Sequence, residues 1–413
     1  MKLLVSHPTL NEFSKNLIRG LLKNNMLYKL FTSIALFPGQ LLYKLGDIPK
    51  FKDLKRRCQD PLWQNFTQSN SFFEFGRLLA SKLKLDFLLT HETGFFCLDM
   101  VYQKQDKWVA NNLTKAKKEG VTGVYAYEDG ALATFAKAKQ LGLFCIYDLP
   151  IGYYKSARLL MQEEFDLNPD WSSTLTGFND SPAKLAKKDE ELSLADVIFV
   201  ASSFTKKTLE AYSGNLPEIK VIPYAFPEVH NKKKYPSLIK RKLKVLFIGG
   251  LSQRKGISYL FEAVEGLKDK VELTIVGYKA VPNCNALNLA LEQHRWIPSL
   301  SHSEVLSLMR EHDVLVFPSL FEGFGLVITE AMSQGLPVIT TDRTAGPDLI
   351  EDGVDGWIIP TASSLAIKEI LINILENPEI LEQFGLAAQQ KAQTRPWSVY
   401  GQEMADAISS FKI

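Results

Sequence analysis

Four cysteines in 413 residues (Cys58, Cys97, Cys145 and Cys284) are few and widely scattered. None forms a C-x-x-C pair, so neither a zinc ribbon nor a disulfide scaffold is supported, and a reducing cytoplasm fits best. No two aspartates stand two positions apart, and no H-E-x-x-H run or histidine cluster appears among the six histidines. No required metal is therefore expected. The amino-terminal run KLLVSHPTLNEF lacks G-x-G-x-x-G, which leaves little room for a dinucleotide-binding oxidoreductase. Charge of one sign is missing too. Lys and Arg number 48 against 46 Asp and Glu, a net charge of +2, which argues against a nucleic-acid binder. Long apolar runs are absent as well. A spanning helix needs roughly 20 apolar residues, and the longest candidate, Leu30 to Tyr43, contains Pro38 and Gly39. MKLLVSHPTLNEF turns polar too early for a leader peptide, so the chain is expected to be soluble and cytoplasmic. No repeat or low-complexity tract is visible.

What is present is an ordinary globular composition: 46% hydrophobic, 11% aromatic and 23% charged residues. At about 150 residues per domain the length suggests two or three domains. In the second half, Lys244–Gly249, Val271–Val276, Val314–Phe317 and Val338–Thr341 read as short buried strands. Helical spacing lies between them, from Ile257 to Leu267, over Ser303–Glu311, and over Leu326–Gln334 with Gly335 as its stop. Near-continuous apolar strands alternating with helices predict an α/β fold with a parallel sheet covered on both faces. The first half repeats this less cleanly. Its strands are Lys2–Ser6, Val124–Tyr127, Phe144–Tyr147 and Val197–Ala201; its helices are Asn11–Asn24, Ala131–Leu141 and Pro182–Ala195. Residues 48–72 resist assignment. Phe226–Lys242 is basic, contains two prolines and lacks apolar periodicity, so it reads as a linker. The expected division is 1–225 together with a carboxy-terminal helix at 396–413, a linker at 226–242, and 243–395.

Ligands of such sheets bind outside the carboxyl ends of the strands, so the loops after the strands carry the chemistry. The strongest signal is Val314–Pro337, VLVFPSLFEGFGLVITEAMSQGLP. A strand enters a loop with Gly323 and Gly325, and a helix follows at once. Both glycines allow close backbone approach to a ligand. The N–H groups of Gly325, Leu326 and Val327, with the helix dipole, make an anion site suited to phosphate. Glu322 sits in the loop, and Glu330 lies roughly 7–8 Å along the helix from Gly325. Both are acceptors for hydroxyl donors. A second glycine loop, Gly249–Gly256, delivers Arg254 and Lys255, one bidentate and one point cation. Two such loops would clasp a diphosphate.

These residues carry a resemblance. The run E-G-F-G-L-V-I-T-E-A-M resembles the donor signature of glycosyltransferase family 4. The similarity covers most of Lys244–Pro360: the R-K-G loop, Val276-Gly277, W-I-P at Trp296–Pro298, F-P-S, G-L-P-V-I and D-G-V-D-G-W-I-I-P. The first half is similar in outline only. The resemblance implies a GT-B fold, two doubly wound Rossmann-like domains facing a central cleft, and a retaining hexosyl transferase that uses a nucleotide-diphosphate sugar as co-substrate. Lys255 and Arg254, with the amides of Gly325, Leu326 and Val327 and the neighbouring Gly250, Gly323 and Phe324, would hold the UDP or GDP portion. Glu330 would take the ribose hydroxyls, Glu322 would act as the catalytic contact to the sugar, and Ile297 would meet the base. The closing helix would cross back onto the acceptor domain.

This chain departs from the family where many members carry Arg and it has Gly250. It also has Ser6–Asn11 in place of a glycine-rich loop, and Tyr127 in place of a histidine. No cofactor beyond the co-substrate is implied. The diphosphate charge would be met by cations and amides. The acceptor, a saccharide or glycolipid, is expected near His7, His91, Tyr127, Glu128 and Asp148, each of which also reads as an ordinary loop or capping residue. Leu41–Arg57 mixes apolar and basic residues and reads either as a peripheral membrane contact or as a solvated stretch. The alternatives are a phosphorylase, a nucleotide-sugar epimerase or a non-catalytic binding protein on the same fold.

Overall fold

The computed structural model describes residues 1–39, 43, 57–177, 179–230 and 233–411. The basic stretch Leu41–Arg57, apart from Tyr43 and Arg57, lies outside these. Two parallel sheets organise the rest. The first has seven strands: β1 (Leu3–Ser6), β2 (Leu27–Thr32), β3 (Thr67–Ser69), β4 (Gly123–Tyr127), β5 (Phe144–Leu149), β6 (Val197–Val200) and β7 (Glu218–Val221). Their order is β3-β2-β1-β4-β5-β6-β7. The second has β8 (Leu243–Ile248), β9 (Val271–Val276), β10 (Arg295–Ile297), β11 (Val314–Phe317), β12 (Val338–Thr341) and β13 (Gly356–Ile359). Their order is β10-β9-β8-β11-β12-β13. Helices cover both faces, which is why β1, β6, β11 and β12 are apolar or small throughout and wholly buried.

The long elements fall where periodicity and caps put them. Helix Glu12–Lys23 starts at a reciprocal cap: Asn11 Oδ1 accepts the Ser14 N–H at 3.0 Å, and Ser14 Oγ accepts the Asn11 N–H at 2.9 Å. Glu12 and Lys23 complement the dipole at its two ends. Helix Trp397–Ser409 packs on it with backbone touching backbone, since a Cβ on Gly20 would stand 1.9 Å from the Gly401 carbonyl oxygen. Four of the five strands invisible to pattern are edge strands: β3 and β10 are three residues long, β7 is half-exposed, and β13 has four residues, so neither alternation nor a long apolar run can form. The fifth, β2, is interior, but Tyr28, Lys29 and Thr32 break its apolar run.

The linker residues are more tightly held than a solvated basic stretch. Lys233 Nζ donates to the carbonyls of Met309, Arg310 and His312 at 3.1, 3.1 and 2.5 Å, closing the end of helix His302–Glu311. Burial pulls its pKa down to about 8. Tyr235 donates to the Gly335 carbonyl at 2.8 Å. One apolar core joins the halves, with Tyr224 of the first side packed against Phe324 of the second at 4.8 Å between ring centroids.

Candidate functional site

The two loops singled out by sequence leave neighbouring strands. β8 and β11 pair directly, Leu246 opposite Leu315, and the strand order reverses between them. Such a reversal point is where doubly wound sheets hold ligands. The loops are locked together at Gly256. Its φ is +66°, and a Cβ there would lie 2.0 Å from the Pro318 carbonyl oxygen. Only glycine tolerates both. The Arg254 carbonyl accepts the Leu320 N–H at 2.9 Å, and Arg254 Nη1 donates to the Phe321 carbonyl at 2.6 Å.

This docking brings three predicted residues together. The Lys255 ammonium pairs with the Glu322 carboxylate, and Arg254 Nη1 stands 3.5 Å from the same oxygen. Lys255 also lies over the Phe317 ring, 4.9 Å from its centroid. Burial first, and then the Arg254 charge, press the Lys255 pKa below its ordinary value, while the carboxylate against it favours the charged form. The cation expected at the diphosphate and the carboxylate expected at the sugar neutralise each other.

Helix Leu326–Ser333 begins at Gly325, whose φ is +90°. Ile328 donates to the Gly325 carbonyl at 2.9 Å, so the amides of Gly325, Leu326 and Val327 lie ahead of that first turn closure. Two neighbours are also held by the fold. Gly323, expected to allow close approach to a ligand, is closely approached on its Cβ side by the other half of the chain. A Cβ there would stand 2.1 Å from the Pro150 carbonyl oxygen, and the Gly323 carbonyl accepts from Ser202 Oγ and Thr205 Oγ1 at 2.7 and 2.8 Å. The Phe324 ring turns into the core against Tyr224, leaving only its backbone toward the loop.

Glu330 meets a residue that sequence reasoning passed over. His302 Nε2 lies 3.0 Å from Glu330 Oε1, and that hydrogen bond, above all, raises the His302 pKa. The helix prediction began one residue too late, at Ser303, and no motif links positions 28 apart. Ile297 ends β10, with its carbonyl bound to the Gly277 N–H at 3.0 Å. Space around Gly250 is open, since a Cβ there would meet nothing within 4 Å. A further missed contact steadies the cationic loop: Gln253 donates to Glu164 Oε1 at 2.6 Å, and its N–H to Thr174 Oγ1 at 2.8 Å.

The acceptor-side candidates separate into two groups. His7, Tyr127 and Asp148 are buried together at the ends of β1, β4 and β5. His7 Nδ1 accepts the Leu10 N–H at 2.9 Å, and burial drives its pKa to about 3, so the ring is neutral. Its ring centroid is 4.4 Å from that of Tyr127, whose hydroxyl is buried without a partner. Asp148 accepts from the Tyr125 hydroxyl at 2.5 Å, and burial raises its pKa to about 7. His91 and Glu128 belong to an ion network instead. His91 faces Asp180 at 2.9 Å and Asp99 at 3.4 Å, and Lys188 lies 3.3 Å from Glu128. Burial raises Glu128. Asp86–Leu88, just before His91, is a short helical turn with Phe87 exposed. Among the described residues, His91, Glu92 and Asp180 are the group close enough to share a cation, and the Lys184 ammonium already stands 2.9 Å from Asp180. A cavity of about 680 Å³ between the halves, lined by Ser156, Leu160, Phe204, Lys207, Asp342 and Arg343, includes none of the predicted donor residues.

A family model described as glycosyl transferases group 1 matches residues 229–391. Those residues form a group 1 glycosyl transferase domain. It contains every predicted donor residue. Among curated relatives, the phosphatidyl-myo-inositol mannosyltransferase of Mycobacterium leprae is 31% identical over 176 residues, 41% of this chain and 46% of that protein. The amylovoran biosynthesis glycosyltransferase AmsK of Erwinia amylovora is 29% identical over 181 residues, 41% of this chain and 44% of that one. The chain therefore spans about half the length of the curated relatives it matches. Over the whole chain, the fold is similar to sucrose-phosphate synthase from Thermosynechococcus elongatus, with a TM-score of 0.66, 14% identity, and 99% and 98% of the two chains covered. It is also similar to Anabaena HepE, solved in complex with UDP and glucose, at a TM-score of 0.61, 17% identity and full coverage of both chains. At such identities the likeness is one of fold. The group 1 domain and its amino-terminal companion are the two Rossmann-like halves of a GT-B arrangement.

Proposed function

We propose that the chain transfers a sugar from a UDP- or GDP-sugar to a hydroxyl acceptor on a saccharide or glycolipid, with retention of configuration and without a metal ion. The carrying observation is the meeting of Arg254, Lys255 and Glu322 at the β8/β11 reversal, beside the open amides of a helix start. A diphosphate entering there offers Lys255 and Arg254 more anionic oxygen than one carboxylate does. Lys255 then leaves Glu322, which turns to the sugar and stabilises charge developing at its anomeric carbon. The departing diphosphate is met by two cations and the amides of Gly325, Leu326 and Val327, a preorganised electrostatic clamp. Glu330 exchanges His302 for the ribose hydroxyls, and Ile297 lies at the base. His7, Tyr127, Glu128, Asp148 and His91 are the acceptor-side candidates. Relatives named as mannosyltransferases, and a structural neighbour solved with UDP and glucose, fit this reading. Four free thiols fit a reducing compartment, the cytoplasm.

The test is nucleotide release from a panel of UDP- and GDP-hexoses with candidate acceptors, in EDTA. Turnover with one donor in EDTA is expected. No release from any donor would sink the transferase reading, and release only with added divalent cation would sink its metal independence. The product's anomeric configuration, read by NMR, tests retention.

A further inference from the structure

Helix Leu326–Ser333 carries a single charged side chain, Glu330, and among the described residues its carboxylate has one partner. That partner is His302, on the first turn of helix His302–Glu311. The imidazole is 63% exposed and the carboxylate 20%, so the pair is open to an incoming molecule. The packing of the two helices does not need it. An exposed ion pair adds little to stability. Arg310 already ties the second helix to the cap of the first, its Nη1 donating to Gln334 Oε1 at 2.7 Å, and Leu308 and Met309 are buried. What the pair does is occupy the one carboxylate of the donor helix.

The charges around His302 favour its protonated form. Its own helix opens with a reciprocal cap, in which Ser301 Oγ accepts the Glu304 N–H at 3.4 Å and Glu304 Oε2 accepts the Ser301 N–H at 2.7 Å. Glu304 is thus turned back into that cap. From the neighbouring helix His302 meets Glu330. From the first half Glu12 acts in the same direction as a more distant charge, with Arg19 3.8 Å from Glu12. A helix start and partial burial both oppose a cation here, and the hydrogen bond to Glu330 outweighs them. The imidazole therefore holds its proton to a higher pH than the ordinary 6.5.

We infer that His302 is a positioning residue of the donor site that acts through Glu330: it holds the carboxylate until the hydroxyls of a nucleoside take it over, and its protonation sets how much that exchange costs. This rests on the proposed pairing of Glu330 with ribose. A vicinal diol offers the carboxylate two neutral donors. Neutral His302 gives up one neutral hydrogen bond for those two. Protonated His302 gives up a charge-assisted bond, roughly twice as strong. Once separated from Glu330, the imidazole returns toward its ordinary value and its proton leaves to solvent. Nucleotide binding therefore expels a proton, and affinity falls as pH falls. The sign would be the opposite if the imidazolium moved onto the diphosphate, cation to anion.

The experiment is calorimetric titration of UDP- and GDP-hexoses, from about pH 5.5 to about pH 8.5, into the wild type and His302→Gln. Over that range a sugar-esterified diphosphate has no proton to gain, unlike a free nucleoside diphosphate. The wild type should bind most tightly at the alkaline end and lose a few-fold toward acid, with proton release read from buffers of different ionisation heat. His302→Gln, a neutral donor, should keep the alkaline affinity and lose the pH dependence. In parallel the His302 imidazole is titrated by NMR without nucleotide. It should titrate above 6.5 in the wild type and lower in Glu330→Gln. The inference falls if affinity is flat with pH or rises toward acid, or if His302→Gln keeps the wild-type pH profile. It also falls if Glu330→Gln leaves the imidazole titration unmoved. Tight binding with a flat profile removes the role of His302 and leaves the donor reading standing. No binding of any nucleotide sugar at any pH, with the imidazole still responding to Glu330→Gln, overturns the donor reading and the inference with it.

Discussion

The two halves of the molecule use the ends of parallel strands in opposite ways. In the second half, Lys255 and Glu322 are 67 positions apart, yet both sit on loops of adjacent strands and meet as an ion pair. In the first half, the polar groups at strand ends are covered: His7 and Tyr127 lie under aromatic neighbours, and Glu128 is held by Lys188. One wall is a compact cluster of two cations and a carboxylate, the proposed clamp, while the other is a packed and nearly satisfied surface. The difference teaches that a site for a small, invariant anion can be built from two loops and one helix start. A wall for a larger partner is assembled from many elements, with no single loop carrying it.

The largest effect that would break this contrast comes from the clamp. Lys255→Ala or Glu322→Gln should lower kcat about 10²-fold or more, the cost of removing one preorganised charge. His91→Ala, in the network of the other wall, should cost far less. Equal losses would erase the distinction between the halves. Next is Gly256→Ala, where positive φ and the Pro318 contact both oppose a methyl group. A loss of about 1–3 kcal/mol in stability is expected in chemical denaturation, together with weaker nucleotide binding. An unchanged midpoint would mean the loops are not locked there. Glu330→Gln should weaken nucleotide binding about tenfold, as for one charged hydrogen bond, while kcat at saturating donor stays within a few-fold. A kcat collapse would move Glu330 into the chemistry.

The smallest effect sharpens the first half. Burial holds the Asp148 carboxyl at about 7, above the roughly 3.9 of an unfolded chain. Between those values the folded chain keeps a proton that the unfolded chain has lost, so this group's contribution to stability falls as pH rises from about 4 to about 7. Asp148→Asn removes the dependence. Its melting temperature relative to wild type should therefore climb across that window. A constant offset would show that Asp148 is ionised in the fold.

How much could be read from sequence follows the same division. The Glu322–Glu330 run and the R-K-G loop were legible because glycine, charge and helix start are packed into a few consecutive residues. Most interior strands were legible because burial on both faces makes them continuously apolar; β2 was not, since Tyr28, Lys29 and Thr32 interrupt its run. His302 on Glu330, and Gln253 on Glu164, were not, because each pairs residues with no shared motif. What Gly323 approaches was not legible for a related reason. A glycine records that something approaches closely, and only the fold shows that it is the Pro150 backbone. The exposed residues Phe72, Phe75, Leu79 and Leu83 have the spacing of a core-facing helix, so periodicity alone cannot tell which way they face.

The most direct test of the clamp is isothermal titration of UDP, GDP and ADP into the wild type and Lys255→Ala. At least one of UDP and GDP should bind the wild type and lose about tenfold or more in the variant. If none of the three binds, or if the variant binds as tightly as the wild type, the meeting of Arg254, Lys255 and Glu322 is not a diphosphate site.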